Sequence, residues 1–510
     1  MPTDQPTDQS TDGRADQPNV LFVMTDQQRF DTISALGYDS LHTPNLDRLV
    51  ERGVSCTNAY SSAPICVPAR HNVRTGCHPL RTGFLGNESR SAEHLEERCG
   101  PFLARAMAER GYRTFGIGKF HARPEGIDLG YDLRLTVDDY ADECGVDPEV
   151  DRGRTAAMNM LPQSCPLPPD ERRMSWIADR AVEQIEPRDD SGDTGSGADA
   201  DDTPFFGLVS FSKPHPGWNP SPPFDELYDP DTLTDPIRED RELDHRDEKM
   251  PAQNYHFWKD RPDDVGASTV RAAKAHYYGL VTQLDREVGR VLDAVEARDD
   301  AENTLICFFS DHGELLGDHH GWGKSSFFEA STRVPFLVSW PARLPADERS
   351  DDLVSLTDLF GIATTAAGDR ELRDGVDVLG ALTGDAEPRE RLVGVHETPR
   401  KTDAFAIGPN FTMMVRSGDW KYVYAMNGGR EQLFDVAANP RETEDRLGDR
   451  PDIAAQLRDA AIEHLREFGA DEYLENGSLR EVAFRRLEMG RYIHETYPTS
   501  PADALGDDTE

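Results

Sequence analysis

Lysine is scarce in this 510-residue chain: only eight of its 55 basic residues are lysine, set against 95 acidic ones. The formal charge of −40 argues against nucleic acid or an anionic membrane as partner, because either would be repelled. Long apolar runs are missing too. None approaches the roughly 18 residues of a membrane-spanning helix, so no integral membrane protein is expected. Cysteine is sparse, odd in number at seven, and never spaced as C-x-x-C. No secretory apolar segment opens the chain, so a disulfide scaffold and a zinc ribbon are both unexpected and a cytoplasmic location is expected. Abundant Asp and Glu with little lysine is the composition expected of a haloarchaeal protein in molar salt, where self-repulsion is screened over about 3 Å.

Apolar residues make up 37% of the chain, enough for one large α/β domain and a smaller one. Four short apolar runs read as buried parallel strands, and each stops at residues able to do chemistry. Asn19 to Met24 runs into Thr25-Asp26, and Tyr112 to Ile117 into Gly118-Lys119-Phe120-His121. Phe205 to Phe211 runs into Ser212-Lys213-Pro214-His215, and Thr304 to Phe309 into Ser310-Asp311-His312. Helical patterns lie between them. One spans Phe102 to Arg110 before Gly111; another puts Tyr277, Val281, Leu284, Val288, Val291 and Val295 on one face. Alternating strands and helices predict a large, mostly parallel sheet flanked by helices. Ligands bind beyond the carboxyl ends of such strands.

The predicted organisation is a disordered tail over 1–18, an α/β catalytic domain over 19–370, and a C-terminal α+β subdomain over 371–510. Within the second, 188–203 reads as an acidic loop and 225–264 as a charged insertion. In the third, Phe411–Arg416 and Trp420–Tyr424 read as an antiparallel hairpin, and Ile453–Phe468 as an amphipathic helix. Sequons at Asn87, Asn410 and Asn476 are read as chance.

Two nucleotide motifs fail on spacing. A phosphate loop ending at Gly323-Lys324 needs glycine at 318, where Asp318 stands, and His121 takes the third glycine of a dinucleotide loop begun by Gly116 and Gly118. The informative segment is Cys66-Val67-Pro68-Ala69-Arg70, followed by Thr75-Gly76. A cysteine before a proline-started helix sits where N–H groups and the dipole favour an anion; alone it is a low-pKa thiolate or a structural cysteine.

That segment resembles the signature of the type I sulfatases, members of the alkaline phosphatase superfamily, with Ala69 where the family often has serine. Further resemblances follow in order. They are Pro18-Asn-Val-Leu-Phe-Val-Met-Thr-Asp26, Gly111-Tyr-Arg-Thr-Phe-Gly-Ile-Gly-Lys119-Phe-His121 (Phe120 for tryptophan), and Pro204-Phe-Phe through Pro214-His215. Ser310-Asp311-His312-Gly313-Glu314 with Lys324, and Leu433-Phe-Asp435 with Asn439-Pro-Arg-Glu442, complete the set.

The resemblance implies that Cys66 is oxidised to formylglycine by a maturation enzyme and that the substrate is a small-molecule or sugar sulfate ester. It implies one divalent cation held by Asp26, Gln27, Asp311, His312 and the modified Cys66, calcium first, with magnesium or manganese as alternatives. Gln27 replaces the second aspartate of many members and brings one charge fewer. By the same resemblance Arg70 holds the hydrated aldehyde and Lys119 bridges it to sulfate. His121 is the base that restores the aldehyde, and His215 with Lys324 binds sulfate and protonates the leaving oxygen. Lys213 either reaches the substrate or is solvated, and His319 and His320 are read as loop residues. Two other readings stay open: a formylglycine phosphonate monoester hydrolase or phosphodiesterase, and a non-catalytic metal- and anion-binding relative. The segments 132–173 and 218–264 carry no motif that names the alcohol half of a substrate.

The halophile reading is tested by salt. Dilution below about 0.5 M salt is expected to lower the melting temperature through unscreened acidic repulsion; unchanged melting across that range refutes it.

Overall fold

The computed structural model describes residues 17–87, 94–123, 126–147, 150–151, 162–187, 203–238, 267–398 and 410–484. Eight strands form the large sheet. They are β1 (Asn19–Asp26), β2 (Val54–Tyr60), β3 (Arg113–Gly118), β4 (Leu133–Thr136), β5 (Phe205–Pro214), β6 (Thr304–Ser310), β7 (Phe336–Ser339) and β8 (Glu348–Ser355). Their order is β4-β3-β5-β1-β6-β7-β2-β8. Neighbours run parallel except at β7, which is antiparallel to both β6 and β2.

The four predicted runs are β1, β3, β5 and β6, and they lie side by side at the centre. β1 is buried along its whole length, as expected of a strand covered on both faces. Alternation sorts its side chains. Val20, Phe22 and Met24 join a core with Val67 and Val73 of the helix Cys66–Thr75, Leu103 and Met107 of the helix Leu103–Glu109, and Leu359 of the helix Asp358–Ala366. Leu21 and Val23 face the opposite layer, built by the helices Arg173–Ile185 and Ala267–Glu296. The six residues predicted for one face of that last helix are all buried. The helix predicted before Gly111 is Leu103–Glu109, and Gly111 turns the chain with φ of 90°.

A second sheet, antiparallel throughout, has the order β12-β11-β10-β9: β9 (Arg391–Thr398), β10 (Asn410–Ser417), β11 (Trp420–Ala425) and β12 (Arg430–Asp435). The predicted hairpin is β10–β11, closing at the Ser417–Trp420 pair. The helix Pro451–Glu467 covers it, setting Leu457, Ala461 and Leu465 against Val395, Met413 and Tyr422. Of the predicted tail, only Gln17 and Pro18 are described. The acidic loop 188–203 lies outside the described residues except for Thr203, and the insertion 225–264 is described only as far as Arg238. No helix among the described residues is long and apolar enough to cross a membrane.

The two sheets meet at a buried charge cluster that sequence reading did not foresee. Lys421 of β11 is fully buried; its Nζ lies 2.8 Å from Glu329 Oε1, donates to the Phe327 carbonyl at 2.6 Å, and pairs with Glu442. Glu442 in turn accepts from the Glu329 backbone N–H at 2.6 Å. Removing one partner of a buried ion pair strands the others. Lys421→Met is therefore expected to cost about 3–5 kcal/mol of unfolding free energy, read by denaturant titration.

Candidate active site

Register brings the chemistry together. β1 and β6 run in step, with Thr25 opposite Ser310, so Asp26 and Asp311 emerge beside each other at the carboxyl edge. Between the strands and the next layer stands the helix Cys66–Thr75, with Cys66 its first residue. One ligand atom from each of Asp26, Cys66, Asp311 and His312 lies within 4.8 Å of the others, and all four residues are buried. His312 Nδ1 is placed to donate to the Gly313 carbonyl at 3.0 Å, which turns Nε2 toward Cys66 Sγ at 3.2 Å. Asp26 Oδ1 is buried and has no hydrogen-bond partner. Two carboxylates, an imidazole nitrogen and an orphaned oxygen fit a divalent cation. Gln27 stands at the rim with φ of 70°, its Oε1 2.5 Å from Lys324 Nζ and its amide nitrogen on Glu314.

Cations balance this edge. Arg70 is buried and donates through Nε to Asp311 Oδ2 and through Nη2 to Asp26 Oδ2, each at 2.8 Å. Its Nη1 donates to Ser210 Oγ at 3.0 Å and to the Lys119 carbonyl. Lys119 Nζ lies 2.5 Å from Asp26 Oδ2, and Lys324 Nζ lies 3.2 Å from Cys66 Sγ. Burial pushes the Asp26 carboxyl up, yet Lys119, His215, Arg70 and Lys324 together hold it well below the usual range. Burial and the Asp26 carboxylate raise the Cys66 thiol, and Lys324, His312 and Lys119 outweigh them and draw it well below its ordinary value. His215 is pushed the other way: burial first, then Lys324 and Lys119, hold its imidazole neutral, and Nδ1 is placed against the Pro216 carbonyl at 2.8 Å.

Of the sequence-predicted residues, the structure gathers Asp26, Gln27, Cys66, Arg70, Lys119, His215, Asp311, His312 and Lys324 at one edge. His121 follows β3 two residues after Lys119, half-buried, with φ of 46°; among the described residues it hydrogen-bonds none of the others, and its buried Nδ1 has no partner. Lys213 neither reaches that edge nor meets solvent. Its Nζ donates to the Gly217 carbonyl at 2.6 Å and to Asn219 Oδ1 at 2.8 Å, and burial pushes it down to about 7. His319 is more than a loop residue, since its ring stacks on Phe328 at 3.9 Å inside the protein.

Three contributors were missed. Glu314 accepts from Gln27, from Leu316 N–H at 2.9 Å and from Gly323 N–H at 2.5 Å, so it fixes the Gln27 amide; it stood in the Ser310–Glu314 motif without a role. Ser210 ties Arg70 to the Lys119 carbonyl and carried no sequence signal. Asn87, read as a chance sequon, supplies the cap that the Cys66–Thr75 helix lacks: Ile65 offers no side-chain cap, and Asn87 Oδ1 accepts from the Val67 N–H at 2.9 Å.

The sulfatase family model matches residues 18–368. A choline-sulfatase of Rhizobium meliloti is 28% identical over 452 residues, 84% of this chain and 81% of that protein. An arylsulfatase of Clostridium perfringens is 25% identical over 458 residues, 84% of this chain and 89% of its own length. In fold, the chain is similar to the phosphonate monoester hydrolase of Agrobacterium radiobacter, with a TM-score of 0.70 at 21% identity over 91% of this chain and 100% of that one.

The borrowed cap gives the prediction for this site. Asn87→Ala is expected to lower unfolding free energy by about 1 kcal/mol, while Asn87→Asp keeps the acceptor and the stability; thermal melts of the two variants compare them.

Proposed function

The chain belongs to the sulfatase family and is a sulfuric ester hydrolase, and we propose that it acts through a formylglycine made from Cys66 with one divalent cation beside it. The observation that carries this reading is the place of Cys66. It opens a helix inside an intact C-x-P-x-R segment, 3.2 Å from both Lys324 and His312. The hydrated aldehyde supplies a hydroxyl nucleophile, and the cation supplies charge neutralisation and eases ionisation of that hydroxyl. Asp26, Asp311 and His312 would hold the cation together with residue 66, and Gln27 would join them through its amide oxygen. Oxygen in place of sulfur at residue 66 makes the donors hard, which suits calcium first and magnesium or manganese next.

The remaining roles fall to side chains already in place. Arg70 holds both carboxylates and borders residue 66. Lys119 and Lys324 bring positive charge to the sulfate oxygens. Lys324 carries the proton for the leaving oxygen, with the Asp26 and Asp311 carboxylates beside it favouring its charged form. His215, neutral without substrate, gains its proton when an anion arrives beside it. His121 takes the proton whose loss frees sulfate. The work is set in a halophilic cytosol after maturation by a formylglycine-generating enzyme, a reading supported by the acidic, lysine-poor composition.

A second reading, phosphonate monoester or phosphodiester hydrolysis by the same nucleophile, draws on the fold likeness to a phosphonate monoester hydrolase. One preparation tests both. Protein co-expressed with a formylglycine-generating enzyme is expected to carry aldehyde at residue 66 by peptide mass, and to turn over 4-nitrophenyl sulfate faster than a phosphonate monoester. It should also lose activity reversibly to a chelator. An active preparation whose residue 66 is wholly thiol sinks the proposed nucleophile, faster phosphonate turnover moves the enzyme to the second reading, and aldehyde without turnover of either leaves a binding protein.

A further inference from the structure

Arg74 stands one helical turn after Arg70 on the Cys66–Thr75 helix, and the two point the same way. Arg70 Nη1 donates to the Lys119 carbonyl, and Arg74 Nη2 donates to the next one, Phe120, at 2.7 Å. Everything around this turn is pinned. Lys119 N–H donates to the Ser210 carbonyl at 2.9 Å, and Ser210 Oγ returns a bond to the Lys119 carbonyl at 2.7 Å. Gly118 takes φ of 107°, and a side chain there would start 2.1 Å from the Ser210 carbonyl oxygen. The Phe120 ring lies under the Arg134 guanidinium at 4.9 Å and against Tyr131 at 5.6 Å. Directly after these fixed points, His121 is held in the left-handed region at φ of 46°, which a residue with a side chain adopts only under constraint.

Arg74 is an expensive way to fill its site. It is buried, and among the described residues no carboxylate lies within salt-bridge distance of it. Burial pushes its guanidinium down to about 9, and Nη1 is buried without a partner. An apolar side chain of similar volume would occupy the same space without the desolvation cost. Packing does not account for a cation here; the bond to Phe120 does.

We propose that Arg74 is a positioning residue for His121: by holding the Phe120 carbonyl it keeps the Lys119–His121 turn in its left-handed conformation and so sets where the imidazole lies at the carboxyl edge. The inference rests on the reading of His121 as the base of the proposed reaction. In that step His121 takes the proton of the hydroxyl left at residue 66 as the carbon–oxygen bond to sulfate breaks, a carbon–oxygen double bond forms and sulfate leaves. The alcohol has departed by then, so a fault in His121 placement slows the second half-reaction and spares the first.

Arg74→Met and Arg74→Lys test this, the first removing the donor and the second keeping one. Crystal structures are expected to show residue 121 leaving the left-handed region in Arg74→Met and staying there in Arg74→Lys. In rapid mixing, Arg74→Met is expected to release alcohol in a burst within about twofold of the parent rate, with sulfate release slowed about 10²-fold, the scale of a misplacement near 1 Å. Sulfated protein then accumulates on residue 66, visible by intact mass, and Arg74→Lys recovers most of the loss. An unchanged 119–121 turn in Arg74→Met overturns the inference. So does equal slowing of both phases, which is the behaviour of a merely structural side chain. The crystallographic arm does not depend on covalent chemistry, so an active parent enzyme whose residue 66 is wholly thiol refutes the formylglycine reading while the Arg74 result still stands or falls by itself.

Discussion

The site depends on one guanidinium. Parallel register places Asp26 and Asp311 side by side at the end of two buried strands, where two carboxylates repel each other strongly in a medium of low dielectric. Arg70 meets both at 2.8 Å. Through Ser210 and the Lys119 carbonyl it also reaches β5 and the end of β3, so one side chain spans the four central strands. A buried ion pair of this kind about breaks even in stability. What it secures is placement: the Asp26 and Asp311 oxygens, the Lys119 ammonium and Cys66 share one rigid frame before any substrate arrives.

The central sheet and the strand-end residues of the candidate site were legible in the sequence for a simple reason; Cys66, Arg70 and Lys324 stood out only through the family resemblance. A strand covered on both faces must be apolar along its length, so its end is marked by the first polar residues, and in an α/β fold those residues lie where ligands bind. Asp26, Lys119, His215 and Asp311 are all such residues. The contacts that escaped are those between elements far apart in the chain. Asn87 caps a helix that begins 21 residues before it, and Lys421 meets Glu329 across 92 residues. No local pattern encodes either. Lys213 shows the limit from the other side: its position after a strand is that of a site residue, yet Gly217 and Asn219 turn it inward.

Scarcity also proves informative once locations are known. Five of the eight lysines fall among the described residues. Lys213, Lys274, Lys324 and Lys421 are buried, and Lys119 has a side chain only 19% exposed. Among the described residues, the lysines of this acidic chain serve the interior, as compact cations with three donors for a carbonyl or a carboxylate. Arginine takes the surface pairs, such as Arg48 with Asp293 and Arg81 with Asp374.

The junction between the sheets has a consequence for how the chain is made. Glu329 sits before the last two strands of the large sheet, but its counter-charge, Lys421, lies in β11, and Glu442 is later still. On a ribosome the segment around Glu329 emerges roughly 4–20 s before Lys421 at about 5–20 residues per second. During that interval Glu329 lacks the buried cation that neutralises it, so the junction between the two sheets cannot yet form. The junction therefore waits for the second sheet, with the delay written into the order of the sequence.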